Sequence, residues 1–277
     1  MKLATKMLGT VCMAALLSSN PLLAGDSKTF KEKIIVEEET KWWGAALSTG
    51  WDSLYMFRGV NVLRGDQSYG SSLYWTDLNV TWNITENDFI NVGAWQAFGI
   101  GNTAYKETDV YASYTHLFGN LSATLGYIFY YYGNSSQYQN ELTAELAYTI
   151  ELPAGITVTP SLAYFFNLGP EIGPDAGVVE PTSSYLLARI DAGIPLYKDI
   201  LSLAPWIAFG TSFDYNFKSD GSTFTGANNL ELGLGLPIQV NEIISLYVYG
   251  AYSTQWENLA GTDANTFWGG GSVKFEF

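Results

Sequence analysis

The side chains that could do chemistry here are almost all carboxylates. The chain holds 27 Asp and Glu against 13 Lys and Arg, with one histidine, His116, and one cysteine, Cys12. A serine hydrolase needs a histidine base beside its nucleophile. His116 is followed by Leu117 and Phe118, so no His-x-Ser pairing accompanies it. Asp66, Asp220 and Asp263 fall in expected outer loops with no histidine among them, which argues against a protease site at that rim. Zinc or copper would need several imidazole or thiolate ligands. No catalysis, metal or other cofactor is therefore expected. A net charge of −14 excludes nucleic acid as a partner, because phosphate binding needs a basic surface. What remains for so many acids is electrostatic: they can set the potential of an enclosed, wetted space.

Eight charged residues fit that role by position. Asp52, Asp77, Glu145, Asp191, Glu231 and Glu276, with Arg189 and Lys274, fall on the polar side of alternating segments. Successive side chains of a strand point to opposite faces. The last segment shows this most clearly. Phe267, Gly269, Gly271, Val273, Phe275 and Phe277 share one parity, while Trp268, Gly270, Ser272, Lys274 and Glu276 share the other. Leu230 to Ile238, Leu201 to Phe213, Ile156 to Phe166 and Leu142 to Ile150 repeat the pattern. Gly269-Gly270-Gly271 lies inside a strand and lacks the strand–helix context of a phosphate loop. Trp75, Trp95, Trp206 and Trp268 fall on the inward parity. Gly233, Gly235 and Gly270 share it, and are expected to leave room inside.

Strands are expected near 42–57, 70–83, 89–98, 105–117, 121–132, 139–151, 156–167, 184–194, 199–213, 227–239, 243–253 and 266–277. Short turns at 83–88, 118–120, 152–155, 195–198 and 240–242 alternate with longer loops at 58–69, 99–104, 133–138, 168–183, 214–226 and 254–265. That rhythm predicts an all-β fold: a transmembrane, antiparallel, up-and-down β-barrel of about twelve strands. Short turns would lie in the periplasm and long loops outside. Composition agrees. Aromatics reach 16% and charged residues only 14%, whereas soluble domains carry about 25% charged residues. After residue 24 no apolar run approaches the roughly 20 residues of a spanning helix. Tyr55 with Phe57, Tyr130 to Tyr132, Tyr164 to Phe166, and Tyr247 with Tyr249 are expected to form aromatic girdles at the two membrane interfaces.

Residues 1–24 read as a cleaved secretory signal, with Lys2 and Lys6 before an apolar run at 7–17 and small residues up to Ala24. Cleavage would remove Cys12, so the exported chain has no disulfide. Residues 25–41 are dense in charge and read as a wet periplasmic lead-in. Residues 42–277 then form the barrel.

The C-terminal segment resembles the insertion signal of bacterial outer-membrane barrels, with Phe267, Val273, Phe275 and the terminal Phe277 on one face. That implies the barrel-insertion machinery and outer-membrane lipid as partners. Near the start, Tyr55-Met56-Phe57-Arg58-Gly59-Val60 resembles the opening hairpin of the TorF-type porin family, with Tyr55, Phe57, Arg58 and Gly59 the matching positions. The resemblance implies a pore. Read physically, the same residues are an aromatic pair at the interface, an arginine at head-group level and a glycine starting a loop. Together these features predict passive diffusion of small solutes through a cation-preferring lumen, its mouth narrowed by loops such as 168–183. The alternative is a non-conducting barrel that anchors, adheres or binds through its loops, favoured if the four inward tryptophans meet across the lumen.

Overall fold

The computed structural model describes residues 42–63, 72–100, 105–133, 137–169, 171–172, 178–179, 182–256, 259 and 265–277. The expected signal at 1–24, the charged segment at 25–41, Asp66, Asp263 and half of the 168–183 loop lie outside them.

Alternation decides the architecture. In the strand Asp88–Ile100, Phe89, Asn91, Trp95 and Ala97 are buried, while Ile90, Val92, Phe98 and Ile100 are exposed. In a water-soluble sheet the apolar face would be the covered one. Here the outward face carries the large apolar side chains, among them Leu78, Leu125, Leu146, Ile190, Val248 and Phe267. The inward face carries Asp, Glu, Asn, Thr and rings. That inversion is the signature of a barrel solvated by lipid. Among the described residues no helix is long and apolar enough to cross a membrane.

Twelve strands close the barrel: β1 (Trp43–Asp52), β2 (Ser72–Asn83), β3 (Asp88–Ile100), β4 (Lys106–Phe118), β5 (Leu121–Tyr132), β6 (Gln137–Tyr148), β7 (Thr157–Asn167), β8 (Ser184–Tyr197), β9 (Leu201–Phe217), β10 (Thr223–Gln239), β11 (Ile244–Gln255) and β12 (Asn265–Glu276). The short piece Ile150–Glu151 continues β6 along β7. Each strand pairs antiparallel with its neighbour in sequence, and β12 closes on β1 from Ala46↔Glu276 to Asp52↔Gly270. Closure leaves no open sheet edge in the membrane.

The turns keep the expected rhythm, and most strand ends fall within a few residues of expectation. The segment 214–226 departs from it. Bulges after Gly210 and Phe213 let β9 and β10 pair as far as Phe217↔Thr223, so a long hairpin stands where a loop was expected. Its turn is set by Asp220, whose carboxylate accepts from the Ser222 amide and hydroxyl. Those donors hold the Asp220 carboxyl below its usual range. The first strand also departs, ending at Asp52 rather than 57.

Two further expectations are corrected. Proximity to a strand end does not place a ring in a girdle, because parity decides the face. Tyr131 and Tyr164 do point to lipid, whereas Tyr130, Phe165 and Tyr249 are buried on the inner face. Nor do Gly233 and Gly235 leave open room. A Cβ at Gly233 would overlap the Trp206 ring, and one at Gly235 would overlap Tyr247. Each glycine is the bed on which a neighbouring strand's ring lies. Gly270 is similarly covered, by Asp52 and Tyr249.

Candidate functional site

Beyond Asp52 the chain turns into the lumen. The Ser53 amide donates to the Gly269 carbonyl at 2.8 Å, and the Gly269 amide donates back to Ser53 Oγ at 3.0 Å, fixing the point of departure on β12. A small hairpin follows, with Met56–Phe57 paired to Val60–Asn61. Arg58 and Gly59 form its two-residue turn, with φ of 49° and 78°. Positive φ at both central positions is the turn whose twist suits a tight hairpin, and it favours glycine. The tip is held by β9, β10 and β11. Asn228 and Asn216 donate through Nδ2 to the Arg58 carbonyl at 2.8 and 3.2 Å, and the Gln255 amide donates to the Gly59 carbonyl.

The hairpin's side chains join apolar clusters that the strands alone would leave apart. Tyr55 and Leu63 pack with Trp75, Trp95 and Tyr130, while Met56 packs with Trp206, Tyr249 and Trp268. The four inward tryptophans are thus divided between two clusters. Phe57 lies 6.2 Å from Tyr130, centroid to centroid, and also touches the cluster of Phe165, Tyr185 and Tyr215.

Arg58 is 1% exposed and Glu141, on β6, is wholly buried. The guanidinium grips both carboxylate oxygens, Nη1 to Oε1 at 2.5 Å and Nη2 to Oε2 at 2.7 Å. The Tyr130 hydroxyl donates to Oε2 at 2.6 Å. Rings surround the cation, with Cζ at 3.9 Å from the Phe165 centroid, 4.5 Å from Phe57 and 4.6 Å from Tyr215. Beside this pair, Tyr55 and Tyr105 donate to Glu107 Oε2 at 2.8 and 2.5 Å. Asp109 is fully buried two residues further along β4.

The structure places all eight sequence-predicted charges on the inner face. Asp52 accepts from the Tyr249 hydroxyl at 2.6 Å, and Asp77 from the Tyr111 hydroxyl at 2.8 Å. Glu231 accepts from Trp206 Nε1 at 2.7 Å. Arg189 binds Asp191 at 2.7 Å, and Lys274 binds Glu276 at 2.7 Å, so both basic residues are neutralised locally. Glu145 stands half-buried between Thr143 and Ala147. Sequence reading missed Glu107, Asp109 and Glu141. The signal was present, since Glu141 shares the parity of Glu145 and Glu107 that of Asp109 and Tyr111. Tyr55, Phe57, Arg58 and Gly59 are inside the barrel, which corrects the interface reading of these residues. The physical reason is the reversal at Arg58-Gly59, met by a wall of amides and one carboxylate.

His116 sits at the short-turn end of β4, with Nδ1 2.7 Å from Asp88 Oδ1 and its ring against Phe118. Among the described residues no three His, Cys, Asp or Glu side chains gather as a metal site.

Lumen burial is uneven along the barrel axis. The half toward the longer loops is filled by the hairpin and the rings around it. Toward the short turns, Thr124, Thr157, Thr159, Asp191, Ser272 and Glu276 remain partly exposed on the inner face, while Thr81, Asn91 and Thr115 are buried. The described inner face is therefore packed around an inserted hairpin at one end of the barrel and partly exposed at the other.

The fold defines the class, a closed twelve-strand antiparallel barrel of the outer-membrane type. No protein-family model matches the sequence, and no curated protein matches it. Solved structures do. An outer-membrane channel from Pseudomonas putida F1 has a TM-score of 0.57 at 11% identity, over 85% of this chain and 95% of that one. The NanC porin has a TM-score of 0.52 at 11% identity, over 83% and 98%. LpxR from Salmonella typhimurium has a TM-score of 0.51 at 9% identity, over 83% and 99%. At such identities the likeness is one of fold.

Proposed function

We propose that the protein is a small-solute channel of the bacterial outer membrane, non-catalytic and cation-preferring, in which the first-loop hairpin is the constriction. The observation that carries this reading is the inner face itself: a lipid-facing barrel lined with carboxylates, partly exposed toward its short turns, narrowed by a hairpin whose tip is held by polar contacts. Hydrogen bonds between a loop tip and the wall can break without unfolding strands. The segment that resembles TorF-type porins is that same hairpin, which supports a shared role for it. Delivery would use the leader at 1–24, with insertion guided by β12.

The test is single-channel recording of refolded protein in a planar bilayer under a salt gradient. Discrete steps with a cation-selective reversal potential are expected. A second reading, a non-conducting barrel, draws on the near-complete burial of Trp95, Tyr130, Phe165 and Tyr185 around the hairpin. Silence from folded, inserted protein would favour it and overturn the channel.

A further inference from the structure

A buried carboxylate among aromatic rings is costly unless a cation accompanies it. Glu141 is in that position, and what surrounds it divides into two sets. The wall supplies Glu141 from β6, the Tyr130 hydroxyl from β5, Phe165 from β7, Tyr185 from β8 and Tyr215 from β9. The hairpin supplies Arg58 and Phe57. Removing the hairpin's contribution would leave the wall with a preformed, anionic, ring-lined cage.

We propose that this cage is a binding site for guanidinium-type cations, with Arg58 as its resident occupant and guanidinium-bearing solutes as the class it recognises. Its functional consequence rests on the channel reading. The geometry selects the ligand. Two carboxylate oxygens each take one N–H from a planar fork, a match that an ammonium group cannot make from one nitrogen. Rings at 3.9 and 4.6 Å from Cζ offer faces to a flat, weakly hydrated cation. Register places a further carboxyl group near the cage, because Asp109 on β4 lies opposite Tyr130, the residue whose hydroxyl reaches Glu141. The occupant is incompletely satisfied: among the described residues no acceptor reaches Arg58 Nε, although it is buried. A free guanidinium, unconstrained by the hairpin backbone, can turn to improve on it.

The experiment empties the cage and asks what refills it. Arg58→Ala protein is titrated with guanidinium chloride at millimolar, non-denaturing concentrations, with sodium and methylammonium chloride as controls. Tyrosine and tryptophan fluorescence reports binding, and planar-bilayer recording reports conductance. Saturable guanidinium binding is expected, absent with methylammonium and lost in the Arg58→Ala/Glu141→Gln double variant. Conductance several-fold above wild type should fall back toward it as guanidinium fills the cage. No saturable binding, equal binding of methylammonium, or binding that survives Glu141→Gln would overturn the proposal. If neither protein conducts, the channel reading fails while the fluorescence titration still decides the cage. Should Arg58→Ala not fold alone, its refolding yield in millimolar guanidinium against methylammonium takes the titration's place: rescue by guanidinium alone is expected, and no rescue or equal rescue would overturn the proposal.

Discussion

At Gly59 φ is 78°, and a Cβ placed there would stand 2.7 Å from Asn228 Nδ2 and 2.7 Å from Asn229 Cγ. Alanine therefore meets two penalties at once, about 1–2 kcal/mol for the left-handed backbone and a contact that only movement of the tip relieves. Gly59→Ala should release the hairpin tip and raise single-channel conductance, while circular dichroism still reports a folded barrel. Unchanged conductance would mean that the tip does not set the constriction. Ion pairs at this scale separate by burial. Glu141→Gln leaves the Arg58 charge buried without its partner, and the expected loss is about 3–5 kcal/mol. Glu276→Gln breaks a pair whose Lys274 partner is reached by solvent, and about 1 kcal/mol or less is expected. Urea unfolding of both variants in lipid vesicles measures the difference. Equal losses would mean that the Arg58 cage is wetter than its geometry implies.

Strands carry their information redundantly, which is why they were legible. A single parity error would turn every side chain of an element to the wrong face, and none of the eight charges landed on the lipid side. The hairpin carried no such redundancy. Two paired residues on each side of a turn produce no period, so Tyr55-Met56-Phe57 read as the end of the first strand. What places them inside is a set of partners far along the chain: Glu141, Asn216, Asn228 and Gln255. Each is an ordinary polar lumen position until the tip arrives. The lumen glycines were misread for a related reason, since a missing side chain shows as space in a sequence whatever ring lies over it. β12 is the opposite case, where local pattern is enough. Phe267 and Phe277 are exposed on the lipid face and Val273 and Phe275 share it. Phe277→Ser removes the last of these without touching the lumen. The inserted fraction in outer-membrane extracts should drop several-fold, while conductance of the molecules that do insert stays at wild type. An unchanged inserted fraction would show that the terminal ring is dispensable to insertion.

For the molecule as a whole, the question is which carboxylates a passing ion feels. Arg189 and Lys274 are matched by Asp191 and Glu276, so those pairs contribute little net field. Asp77, Glu145 and Glu231 line the inner face of β2, β6 and β10, on separate sides of the barrel. Glu107 and Asp109 lie higher, beside the hairpin. If the mid-barrel ring governs selectivity, the combined change Asp77→Asn, Glu145→Gln and Glu231→Gln should move the reversal potential toward zero. The shift should be large in dilute salt and small in concentrated salt, because the screening length falls from about 10 Å at 0.1 M to about 3 Å at 1 M. If instead the constriction governs, the triple variant should keep its cation preference and Glu107→Gln with Asp109→Asn should abolish it. The two outcomes differ physically. A wide ring acts through a screened field, whereas a carboxylate at the hairpin is met at contact, where added salt changes little.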